Sequence, residues 1–152
     1  MQSSRPMDEV LPGLYVGGLE SVMDCNLMQR IDAVISVLKP ESRRELERVG
    51  CLRGKAHLFI PIKDQASAPI ESHFDEVYRF IERNLNSGRT VLVHCAAGRS
   101  RSVTLVVYYM LRKGIVHSVS SALNLIRKQR PIARPNPGFK RKLRMAETEL
   151  NS

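Results

Sequence analysis

From Val91 to Leu111 the chain reads VLVHCAAGRSRSVTLVVYYML, and few folds accommodate that order. An apolar strand-like run, VLVH, gives way to a short polar loop holding one glycine, and then to a second apolar run of helical length. A strand that feeds a helix through such a loop presents backbone N–H groups there. The helix N-terminus adds partial positive charge. Within the loop Cys95 and Arg101 stand six positions apart, with His94 just before the cysteine.

The rest of the chain repeats this alternation. LYVG at Leu14 to Gly17, AVISVL at Ala33 to Leu38 and AHLFIPI at Ala56 to Ile62 predict strands, the last with the apolar content of a buried sheet. A helical stretch is expected near Glu20 to Gln29, and a polar surface segment with a short helix in ESRRELERVG, ending at Gly50. Ser72 is placed to cap a helix with Asp75 three residues on; Phe74, Val77, Tyr78, Ile81 and Leu85 form its apolar face, and Gly88 ends it. Further helices are predicted at about Ser102 to Arg112, Ser118 to Arg130 and Pro137 to Leu150. The expected fold is α/β: a central, mostly parallel sheet of about five strands flanked by helices, with the polar glycine-bearing loop between the last strand and a helix. At 152 residues, with no linker or repeat, the chain is read as one domain over 1–152.

MQSSRPMDEV at the start has no apolar signal region, and no apolar run approaches the roughly 20 residues that cross a bilayer. The expectation is a protein of the cytoplasm, with the nucleus open as a second location. Cys25, Cys51 and Cys95 are too few and too scattered to announce a disulfide framework or a zinc site. Cys25 and Cys51 are expected to be ordinary buried side chains. No metal and no cofactor is implied.

Charge is unevenly placed. From Val91 onward there are twelve Lys and Arg against two acids, and before it twelve against thirteen. A positive field around the cysteine half draws anions. For RKQR at Arg127 to Arg130 and KRK at Lys140 to Lys142, solvated helix faces and anion-attracting groups stand as equal readings. Nucleic acid is not expected, because aromatics are 5% of the chain, Trp is absent and no binding motif is present.

In AAGRSR the two alanines keep side chains clear and Gly98 permits a positive φ, so the loop can wrap its amides around one tetrahedral anion. Arg101 suits the same ligand, since its planar fork grips two phosphate oxygens. A helix N-terminus and nearby cations favour ionised sulfur, which makes Cys95 the expected nucleophile. A Cys–His protease pair would need His94 and Cys95 on one face, but consecutive strand residues point apart. His94 is instead expected to brace the loop from behind. The closing glycine of a G-x-S-x-G elbow and the Gly-Lys-Ser/Thr of a Walker loop are both missing.

HCAAGRSRS resembles the H-C-x-x-G-x-x-R-[ST] signature of cysteine-dependent phosphatases, and its Ser-Arg-Ser ending is similar to the small dual-specificity protein phosphatases. VLPGLYVG resembles that family's opening strand pair, IPIKD its general-acid loop and RPIARPNPGF the lead-in to its final helix. The resemblance implies that Cys95 attacks phosphorus to form a phosphocysteine. Arg101 and the amides of Ala96, Ala97, Gly98, Arg99, Ser100 and Arg101 would hold the equatorial oxygens, and water would then release phosphate. Ser102 would help sulfur leave, with helix capping as its alternative role. Asn136, an expected helix cap before proline, would also hydrogen-bond to the phosphate loop.

The leaving oxygen needs a proton. Asp64 follows one parallel strand and Cys95 another, with the Ser72–Asn86 helix as crossover; a right-handed crossover puts both at the carboxyl edge where α/β sites lie. Asp64 is therefore the candidate general acid, and His57, His73 and His117 are read as structural or surface groups. No recognition segment that would deepen the cleft is evident, so the expected substrates are phosphoproteins carrying phosphotyrosine and phosphoserine or phosphothreonine, hydrolysed by a monomer. Arg99 is a cation where most such phosphatases are apolar, which leaves a phosphoinositide or other polyanion as an alternative. A phosphopeptide-binding module without turnover is a further one.

Overall fold

The computed structural model describes residues 5–152; Met1 to Ser4, part of the N-terminal stretch read above, lie outside the described residues. Five strands form one sheet in the order β1 (Met7–Leu11), β2 (Leu14–Gly17), β5 (Val91–His94), β3 (Ala33–Leu38) and β4 (Ala56–Pro61). β1 pairs antiparallel with β2, and all other pairings are parallel. The expected architecture is found, and β5 sits at its centre.

Period-2 alternation sorts the central strands into two cores. Ala33, Ile35, Val37, Val91 and Val93 face one layer, made of α4 (Phe74–Asn86), α5 (Arg101–Lys113), α6 (Val119–Gln129) and α7 (Pro137–Leu150). Val34, Leu38 and Leu92 face the other, against α1 (Leu19–Val22), α2 (Cys25–Met28) and α3 (Arg43–Glu47). α5 is buried along most of its length, so the helix that follows the polar loop is the best-packed one in the molecule. β4 departs from the expected buried strand: it is an edge, with only Ile60 fully covered.

Three local expectations are corrected. The helix predicted at Glu20 to Gln29 is two single turns, because Asp24 accepts from the N–H groups of Asn26 (3.0 Å) and Leu27 (3.2 Å) and so starts a new helix. Ser72 does not cap α4. It lies in a 3-10 turn, Ile70–His73, and its hydroxyl donates to the carbonyl of Pro69 at 2.7 Å, so the helix begins at Phe74. Cys25 and Cys51 are not buried bystanders: they form a disulfide that joins α2 to the turn at Gly50–Leu52, with Cα atoms 5.0 Å apart. Cys25 is exposed and Cys51 half-buried. Closing a loop with a separation of 26 residues is worth about 3 kcal/mol. Among the described residues no helix is long and apolar enough to cross a membrane.

Candidate active site

Cys95 directly follows β5 at the floor of the loop, 2% exposed, with Sγ 3.2 Å from the hydroxyl oxygen of Ser102 in the first turn of α5. From there the carbonyls of the loop are fastened one after another. Ala96 O accepts from the N–H of Leu19 at 2.9 Å, and Arg99 O from that of Arg134 at 2.7 Å. Ala97 O and Gly98 O accept from Nη2 and Nε of Arg130 at 3.1 and 2.7 Å. Ser100 O accepts from the N–H and Oγ1 of Thr104 at 2.9 and 2.7 Å. With the oxygens turned outward, the N–H groups of Ala96 to Arg101 face the other way. Among the described residues none of them donates to a protein acceptor. Successive free N–H groups around a concavity form an anion nest. Gly98 adopts φ +65°, and a Cβ there would lie 2.5 Å from Nη2 of Arg130 and from the carbonyl carbon of Gly17, so the turn requires glycine twice over.

Arg130 is the residue that sequence reasoning left undecided within RKQR. It is 2% exposed and no part of a solvated face. Besides the two loop carbonyls it pairs with Oδ2 of Asp8 at 2.9 Å and donates to Arg5 O at 2.7 Å. Its partner lies 122 positions away on β1, and no local pattern signals that pairing. A buried arginine with every arm engaged costs little, whereas a half-paired one is strongly unfavourable.

His94 is fully buried behind the loop. Its Nδ1–H donates to Cys95 O at 3.3 Å, which leaves Nε2 to accept from the Ser36 hydroxyl at 2.6 Å; that oxygen in turn accepts from Nε2–H of His57 at 2.8 Å. Burial pushes His94 down to about 4, so it is neutral and keeps one tautomer. His57 is lowered as well, by burial and then by the Arg43 charge. Ser36 was not singled out in the sequence, and His57 was read only as structural or surface.

Arg101 donates from Nη1 to the carbonyl of Ile62 at 3.0 Å, while its Nε is buried with no partner. Ile62 directly precedes the loop that holds Asp64. Asp64 is exposed and shares a hollow of about 530 Å³ with Ala96 and Arg101. Asn136 caps α7, its Oδ1 accepting from the N–H of Phe139 at 2.8 Å. Its Nδ2 also donates to Oδ1 of Asp64 at 2.8 Å, and its backbone N–H to the hydroxyl of buried Ser100 at 2.9 Å. The link to the phosphate loop thus runs through the backbone of Asn136, and its side chain holds Asp64. α7 fastens the same loop further on: Lys142 Nζ donates to Ala68 O at 2.6 Å, and a Cβ at Gly138 would run into the backbone of Ala66.

A buried sulfur under a ring of idle amides, with an unpaired guanidinium edge and an exposed carboxylate at the rim, is equipped to bind a phosphoryl group and transfer it. Comparisons with known proteins agree. Residues 14–149 match the model of the dual specificity phosphatase catalytic domain. The chain is 35% identical over 141 residues to human dual specificity protein phosphatase 22, covering 93% of this chain and 73% of that one. It is 38% identical over 140 residues to mouse dual specificity protein phosphatase 15, covering 90% and 56%. Among solved structures, human DUSP28 superposes with a TM-score of 0.88 at 24% identity over 99% of this chain and 98% of that one, a likeness of fold. A human tyrosine phosphatase-like serine/threonine/tyrosine-interacting protein superposes with a TM-score of 0.88 at 27% identity over 97% and 100%. The chain belongs to the dual specificity phosphatase family, whose catalytic domain it carries.

Proposed function

We propose that this protein hydrolyses phosphotyrosine and phosphoserine or phosphothreonine in proteins through a phosphocysteine at Cys95. The observation that carries the reading is the set of loop amides with no protein acceptor, together with the orphaned Nε of Arg101, above one buried sulfur. The Arg101 Nε is buried, and buried donors are ordinarily satisfied; the loop N–H groups converge beside it with no protein acceptor, and a tetraoxo dianion engages both together.

In the first step the Cys95 thiolate forms an S–P bond as the bond from phosphorus to the substrate oxygen breaks. Asp64 gives its proton to that leaving oxygen. The amides of Ala96 to Arg101 and the Arg101 guanidinium hold the three equatorial oxygens, and they cost no reorganisation because the outward carbonyls already fix them. In the second step water attacks phosphorus, Asp64 takes its proton, and the S–P electrons return to sulfur. The Ser102 hydroxyl, 3.2 Å from Sγ, stabilises that sulfur as it leaves. Every group named comes from one chain, and the acting unit is taken as a monomer. The relatives are named protein phosphatases, which supports phosphoproteins over phosphoinositides as substrates.

The test is hydrolysis of an aryl phosphate and of matched phosphotyrosyl and phosphothreonyl peptides. Turnover of all three, blocked by vanadate, insensitive to a metal chelator and lost in Cys95→Ser, is the expected result. Binding of the peptides without turnover would make the protein a phosphopeptide-binding module instead.

A further inference from the structure

Ala96 lines two hollows of opposite character, one on each side of the phosphate loop. The larger, about 920 Å³, is walled by Ala96, Ala97 and Arg99 and by Arg127 and Arg134 after them in the chain; Glu20 is its one carboxylate. Arg99 and Arg134 are exposed, and among the described residues neither guanidinium has an ion-pair or hydrogen-bond partner. Arg127 is anchored through Nε to Ala133 O at 2.8 Å, which stiffens that wall. The smaller hollow, about 530 Å³, holds Asp64 and Arg101 and is also lined by Lys39, Lys63 and Glu45, but most of its exposed wall is apolar, from Leu19, Met23, Leu46 and Val49. Met23 is 61% exposed and Leu19 39%, so these apolar groups stand in water at the mouth of the site.

Resting on the phosphatase reading above, we propose that the two hollows are flanking subsites of one substrate groove. They select phosphopeptides with an anionic residue on one side of the phosphoresidue and an apolar side chain on the other. The phosphoryl group seated over Cys95 fixes where the peptide crosses Ala96. An extended peptide advances about 3.3 Å per residue, so neighbours one to three positions away fall within both hollows. Uncommitted guanidinium groups pair with a carboxylate or a second phosphate on that flank, and the apolar wall gains by covering an aliphatic or aromatic side chain on the other. The Cys25–Cys51 disulfide lies two residues beyond both Met23 and Val49 and ties the two sides of the apolar wall together.

The experiment measures kcat/KM on phosphotyrosyl peptides with Glu before and Leu after the phosphoresidue, on the reversed order, and on versions with either flank changed to Ala. Each value is divided by kcat/KM for an aryl phosphate on the same enzyme. One order is expected to be preferred, with each flank worth roughly three- to tenfold, the range of one exposed ion pair or one partly covered apolar side chain. Arg134→Glu should remove only the Glu advantage and Met23→Glu only the Leu advantage; a second phosphate in place of Glu should raise the ratio further. Equal ratios for all peptides, or flank preferences untouched by both substitutions, overturn the proposal. If the aryl phosphate itself is not hydrolysed, it is the phosphatase reading that fails.

Discussion

The phosphate loop and the loop of Asp64 meet at one site but are built on different principles. The first is fixed from behind: its carbonyls are tied to Leu19, Arg130, Arg134 and Thr104, and His94 and the Asp8–Arg130 pair are buried beneath it. The second lies at the surface and is held from the side, by Asn136, Lys142 and the close approach of Gly138 on α7. Stabilising developing charge demands dipoles that do not move. Giving and retrieving a proton demands only that a carboxyl group reach the leaving oxygen and then water. In the proposed mechanism electrostatics falls to the buried half and proton transfer to the exposed half, so each half can be damaged separately.

The largest separation is expected from Asp64→Asn. It should lower kcat by about 10²–10⁴ on phosphotyrosyl peptides and flatten the basic limb of the kcat pH profile, because the amide cannot supply the proton. Vanadate affinity and thermal stability should stay close to those of the parent, since Asp64 is exposed. A variant that keeps its pH profile would remove Asp64 from the chemistry.

Asp8→Asn reverses the pattern by striking the buried half. Leaving Arg130 without its ion-pair partner should cost about 3–5 kcal/mol of stability in denaturant titrations and weaken vanadate binding, although Asp8 touches no substrate. Unchanged stability would mean that the pair does not support the loop. Gly138→Ala forces the Asp64 loop away from α7 and should lower kcat by roughly 10², the usual consequence of misplacing a reacting group by about an ångström. It should spare vanadate binding; equal loss of both would show that the two loops are not independent.

The smallest effect is one of pH. Native His94 takes up a proton only near 4, and an unfolded histidine does so near 6.5. Between those values the unfolded chain binds more protons, so stability is complete above about pH 6.5 and falls as the solution is acidified. A loss of about 2 kcal/mol between pH 7 and pH 5 is expected from this group. Denaturant midpoints should record it, and His94→Gln should flatten the dependence; an equally steep dependence in the variant would assign it to other groups.

The two halves also differ in how far the sequence revealed them. Cys95, Arg101 and Ser102 lie within eight consecutive positions, so spacing alone suggests their meeting. Asp64 could be placed by topology, because parallel strands joined through a right-handed crossover bring their carboxyl ends to one edge. What holds these groups was largely hidden. Asp8 and Arg130, or Ser36 with His57 and His94, meet only after the sheet forms, and each alone reads as an ordinary polar residue. The disulfide was missed for a related reason: two cysteines carry no spacing rule, and their approach depends on how α2 and the turn at Gly50–Leu52 pack against β3 and β4. Asp24 and Ser72 show a third limit, since short polar side chains serve equally well in caps and in turns.

The central claim is that phosphate passes through the sulfur at the bottom of the nest. Rapid acid quenching during turnover of an aryl phosphate, followed by peptide mass mapping, tests it directly, with Ser102→Ala used to slow the second step. The account predicts one phosphoryl group per chain on Cys95, more of it in the Ser102→Ala variant, and none in Cys95→Ser. Steady turnover with no protein-bound phosphate, or phosphate found on another residue, would contradict it.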